Sequence, residues 1–110
     1  ILFFPPLAPS INDEIKKFNY DYINDLRQKL RDKNITFYDF TSPSEKIATS
    51  DYEFIDGFHA GDVAHAKILE YLTEKEPILK SYVNKDYLRE VINNFSNLAM
   101  IPEQELIPFP

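Results

Sequence analysis

Apolar positions fall into short blocks divided by polar and proline-rich stretches, and each block has its own period. Ile1 to Phe4 is wholly apolar and stops at Pro5-Pro6. Its composition and the proline stop predict a buried strand, followed by an extended connection from Pro5 to Pro9. From Ile11 the period changes. Ile11, Ile15, Phe18, Tyr22, Leu26 and Leu30 step by three and four, which is the single apolar face of a long helix. Ser10 is placed to cap that helix, with Asp13 three residues on. Acids Asp13 and Glu14 near its start, and Arg27, Lys29, Arg31 and Lys33 toward its end, suit the helix dipole. Asn34 suits the left-handed residue that closes such a helix. Ile35 to Phe40 (ITFYDF) then reads as a second strand. Strand, helix, strand is a βαβ unit, whose crossover makes the two strands parallel.

Thr41 to Phe58 is mostly polar and predicts a loop, with a short helical turn near Ser44 to Ala48. A helical period returns at Gly61 or Asp62, where Val63, Ile68, Leu69 and Leu72 form a stripe lasting to about Lys75. Pro77 restarts the chain, and Ile78, Leu79, Tyr82 and Val83 suggest one or two further turns. Asn84 then caps a last helix carrying Leu88, Val91, Ile92 and Phe95. Residues 1–95 thus read as one α/β unit with two parallel strands and three to four helices. Ser96 to Pro110, with Pro102, Pro108 and Pro110, reads as a proline-containing tail, a strap or a linker. Two parallel strands do not complete a sheet, so Ile1 to Phe4 asks for another strand beside it. Either an upstream part of a longer chain or a second copy would supply that strand.

Composition narrows the function classes. The 110 residues suffice for one small domain. A net charge of −6, with scattered basic residues, argues against a nucleic-acid partner. The chain has no cysteine, which excludes disulfides, thiolate metal sites and thiol nucleophiles. Gly57 and Gly61 are its only glycines, so no phosphate loop, dinucleotide turn or nucleophile elbow can be written. No apolar run reaches the roughly 18 to 20 residues a membrane helix needs. The start at Ile-Leu-Phe-Phe, without a signal-peptide pattern, reads as the inside of something longer.

The chemistry concentrates in Phe54-Ile55-Asp56-Gly57-Phe58-His59-Ala60-Gly61-Asp62. This stretch lies after the second parallel strand, where open α/β sheets place their ligands. Asp56 and His59 are three residues apart, with a glycine between them to let the loop bend. An acid so placed can accept the imidazole Nδ1 proton and leave Nε2 free as a base. On spacing alone, a surface Asp and His in a turn is the commoner explanation of so short a motif. Asp56, His59, Asp62 and His65 recur every third residue, which raises a metal site. On a continuous helix such steps would turn Asp56 and His65 to opposite sides, and Asp62 suits a helix cap better than a ligand. Tyr52 and Phe58, close to the Asp-His site in the loop, are candidates to line an acyl pocket.

YDF, a polar loop, FIDGFH and an amphipathic helix together resemble the C-terminal end of SGNH (GDSL-like) hydrolases. The upstream FFPP is similar to segments of envelope-associated members related to teichoic-acid D-alanylation acyltransferases. The resemblance covers most of Ile1 to Leu72 and implies the C-terminal part of a flavodoxin-like three-layer sandwich. It implies that Asp56 is the acid and His59 the base of a Ser-His-Asp triad acting on an acyl ester, with no metal or organic cofactor. It also implies a bacterial cell-envelope location. The family's Gly-Asp-Ser block and its oxyanion-hole blocks are not in this sequence. The nucleophile would therefore come from outside the chain, and the chain alone is expected to be inert. Ser50 is the serine nearest the motif in sequence, but no glycines flank it. The rival expectation is a non-catalytic envelope-binding or self-associating domain on the same scaffold.

Overall fold

The computed structural model describes residues 1–18, 23–41 and 47–102. The described chain is mixed α/β, with a two-stranded parallel sheet and four helices. Strand β1 (Phe3–Phe4) pairs with β2 (Tyr38–Asp39), Phe3 opposite Tyr38 and Phe4 opposite Asp39. The Tyr38 N–H donates to the Leu2 carbonyl (3.0 Å) and the Phe40 N–H to the Phe4 carbonyl (3.1 Å). Both strands are shorter than the apolar runs that announced them. Ile1 and Leu2 are exposed, as is Ile35. A ladder grows only where a neighbour offers partners, and here each strand has one described neighbour.

Between the strands, the periodicity predicts one helix where the structure has two, α1 (Pro9–Lys17) and α2 (Asn24–Asp32). Neither buries a residue. Helices this short draw their stability mostly from packing, so an unburied stripe does not enforce one continuous rod. Phe18, in the middle of the expected stripe, closes α1 with its N–H on the Glu14 and Lys16 carbonyls. It is 78% exposed. Tyr22 lies outside the described residues. The start of α1 also differs from expectation. Ala8 is the N-cap, Pro9 takes the first turn, and Ser10 is inside the helix with no capping side chain. The Ser10 N–H instead donates to Asp51 Oδ1 at 3.0 Å, a cap supplied from 41 residues away.

At the end of α2 the chain does as the sequence says. Asn34 has φ 55°, the Ile35 N–H reaches the Leu30 carbonyl and the Asn34 N–H the Arg31 carbonyl, both at 2.9 Å. That pair of bonds is a Schellman closure. The Ser44 to Ala48 turn falls largely on residues outside those described. A 3₁₀ turn stands at Asp51–Glu53, which polar composition alone did not announce.

The core is organised by α3 (Asp62–Lys75). One side packs Ile68 and Leu72 with Phe40 and Ile47, bordered by Phe3, Tyr38 and Tyr71. Edge-to-face contacts join Phe3 to Phe40 (5.7 Å) and Phe40 to Tyr71 (5.3 Å). The other side packs Ala66 against Leu88 and Val91 of α4 (Lys85–Phe95). A 3₁₀ stretch at Pro77–Ser81 links α3 to α4. Asn84 caps α4, its side chain accepting the Tyr87 N–H at 3.1 Å. The N-cap of α3 is Gly61 rather than Asp62. The start of the tail crosses this point: the Ala99 carbonyl accepts the Asp62 N–H (2.6 Å), and Asp62 Oδ2 accepts the Ile101 N–H (2.9 Å). With its carboxylate turned to the tail, Asp62 does not serve its own helix as a cap.

Candidate functional site

Residues 53 to 61 form a narrow loop closed by three successive cross-links. The Gly61 N–H donates to the Glu53 carbonyl, Phe54 bridges Ala60, and the Ile55 N–H donates to the His59 carbonyl. At its tip the chain turns at Gly57, whose φ of 83° is costly for any side chain. A Cβ there would stand 2.9 Å from Ile11 Cγ1. The Gly57 carbonyl accepts the Ala8 N–H at 2.9 Å. That bond fastens the tip to the chain running from the C-terminal end of β1 into α1. The loop therefore sits at the C-terminal side of the sheet, where a parallel arrangement leaves room for ligands.

The turn brings Asp56 and His59 together. Asp56 Oδ2 lies 2.6 Å from His59 Nδ1, and Oδ1 accepts the backbone N–H of His59 (2.8 Å) and of Phe58 (3.0 Å). The His59 side-chain bond, then the two backbone donors, hold the Asp56 carboxyl below the ordinary carboxylate pKa. An ionised carboxylate only accepts, so the proton between the two side chains belongs to Nδ1. The neutral ring then presents Nε2 as an acceptor. His59 and Asp56 side chains are 76% and 51% exposed, so the ring is open to approach. Tyr52, Ile55 and Phe58, close to it in sequence, are exposed as well.

The other candidates are engaged elsewhere. His65 Nδ1 lies 2.9 Å from the Gly61 carbonyl, and Asp62 holds the tail. Among the described residues no three His, Cys, Asp or Glu side chains gather as a metal would require. The Ser50 N–H donates to Glu53 Oε1, and no described serine hydroxyl is bonded to His59.

Three features of the site region were not legible as motifs. Glu53, 1% exposed, meets Lys67 of α3, with Nζ 2.9 Å from Oε1 and 2.8 Å from Oε2. Asp39, 6% exposed at the end of β2, meets Arg27 Nε at 2.6 Å and accepts the Thr41 N–H at 3.0 Å. A cavity of about 140 Å³ lies between α1 and the chain after β2, lined by Leu7, Asn12, Lys16, Phe40 and Thr49 among others. Neither Asp56 nor His59 lines it. An unusual acid in the 3₁₀ stretch and an arginine on a helix are the only sequence signals for the two ion pairs, and neither names its partner.

Compared with protein families, curated proteins and solved structures, the chain matches none of them.

Proposed function

We propose that this chain supplies the acid and base of a Ser-His-Asp ester hydrolase or acyltransferase of SGNH type. The observation that carries the reading is the 2.6 Å contact between Asp56 Oδ2 and His59 Nδ1, on a glycine turn at the C-terminal side of a parallel sheet. In this reading His59 Nε2 takes the serine proton as the hydroxyl attacks the acyl carbonyl, and returns it to the leaving group. Asp56 orients the ring and stabilises the imidazolium. The serine and the oxyanion donors come from a part of the protein outside this sequence, and the substrate is an acyl ester. No metal or organic cofactor enters these steps.

The same reading places a further strand beside β1, as in a flavodoxin-like sandwich, and a covering layer over α1 and α2. It is supported by the exposure of Ile1 and Leu2 and by the absence of buried residues in either helix. The resemblance alone suggests the bacterial cell envelope. The test is turnover of a small aryl ester by a protein joining this chain to its nucleophile-bearing part. His59→Ala is expected to lower kcat by about 10² to 10⁴-fold, the usual share of general acid–base catalysis. Unchanged turnover would remove His59 from the mechanism.

A further inference from the structure

We propose that Glu53 and Lys67 are positioning residues for the Asp56–His59 pair, their buried ion pair setting the orientation of the loop that carries it. The proposal rests on reading Asp56–His59 as an acid–base pair. The connection runs through consecutive contacts. Lys67 projects from α3, whose neighbours Ala66 and Ile68 are buried. Its ammonium meets both Glu53 carboxylate oxygens and donates to the Ala48 carbonyl at 2.5 Å. Glu53 Oε1 also accepts the Ser50 N–H at 2.9 Å, so the approach to the loop is tied from Ala48 to Glu53. The Glu53 carbonyl then accepts the Gly61 N–H, the first cross-link of the loop. The Phe54–Ala60 bridge is the second, and the Ile55 N–H on the His59 carbonyl is the third. Each rung leads directly from the ion pair to the backbone of His59.

Charge matters here for its direction. An apolar pair of similar volume would hold α3 against the turn without the desolvation that a buried ion pair demands. An ammonium with three donors, shared between a carboxylate and a carbonyl, fixes how the 48–53 backbone is rotated about α3. Asp56 and His59 are both exposed, so their alignment depends on the backbone beneath them. Tight packing around their own side chains is not there to supply it.

The experiment reads the tautomer of each histidine ring by long-range ¹H–¹⁵N NMR at about pH 8.5, where an ordinary imidazole is neutral. In the unaltered chain His59 is expected to hold its proton on Nδ1, facing Asp56. In Lys67→Met the loop loses its brace, and His59 is expected to shift to the Nε2–H form. His65 is the internal control, since its Nδ1 faces the Gly61 carbonyl at the start of α3. It should keep the Nδ1–H form while α3 stays folded. A His59 tautomer unchanged in Lys67→Met, with His65 also unchanged, overturns the proposal. Should His65 show that Lys67→Met has unfolded the chain, Glu53→Gln with Lys67→Met removes the unpaired charge and is judged by the same two outcomes. The readout needs no turnover. A tautomer that follows Lys67 in a protein that never cleaves an ester would keep the positioning role and dismiss the enzymatic one.

Discussion

Asp56 is where residue-level chemistry and folding meet. Its carboxyl is held below the ordinary value first by the His59 ring, then by the His59 and Phe58 amides. A group whose pKa is depressed by folding stabilises the fold at pH above its unfolded value, about 3.9. That contribution fades as pH falls through the lower, folded value. Carbon-detected titration of Asp56 is expected to give a midpoint below the ordinary one, and His59→Ala should raise it without full restoration, because the backbone amides of residues 58 and 59 remain. Gly57 is a second residue-scale test. Alanine at φ 83° costs about 1–2 kcal/mol in conformation alone, and its Cβ meets Ile11, so urea unfolding of Gly57→Ala should show at least that loss. The Asp56–His59 geometry was legible in the sequence because three residues and one glycine determine it locally. The partner of Glu53 was not, since 14 residues of chain separate it from Lys67 and no local rule spans them.

At the scale of elements, caps divide in the same way. Asn84 announces α4 from the sequence and caps it through its own neighbour, so Asn84→Ala should destabilise by about 1 kcal/mol. The cap of α1 is instead Asp51, reached through the fold. Ser10→Ala should therefore leave stability nearly unchanged, whereas Asp51→Ala should cost about 0.5–2 kcal/mol. Chemical denaturation of the two variants separates a local cap from a distant one. The bounds of α3 were readable because its stripe is buried on two sides. The long helix expected from Ser10 onward had an equally regular stripe, yet α1 and α2 bury nothing, and periodicity reports amphipathicity rather than continuity. Where α3 begins, Gly61 passes so close to the tail that a Cβ would lie 1.9 Å from the Ala99 carbonyl oxygen. Gly61→Ala should expel residues 98–102 and free the Asp62 amide, seen as faster hydrogen exchange there.

The whole molecule is stabilised unevenly. Its buried side chains gather around α3, one side of which packs against the sheet, while α1 and α2 carry amphipathic but unburied faces. The radius of gyration, 15.6 Å, exceeds the roughly 13 Å of a compact chain near this length. Both facts agree with the proposed covering layer, and they make it measurable by the energetics of two leucines. Leu72 is 5% exposed between α3 and the sheet, so Leu72→Ala should cost about 2–5 kcal/mol in any context. Leu26 on α2 is 46% exposed, and Leu26→Ala in the chain alone should change stability by less than about 0.5 kcal/mol. When the proposed nucleophile-bearing part is joined to the chain, Leu26 becomes a core residue if that part lies over α2, and the same substitution should then cost about 2–5 kcal/mol. A Leu26 effect that stays small in the joined protein would place the proposed part elsewhere, and the exposed stripe of α2 would no longer support a sandwich.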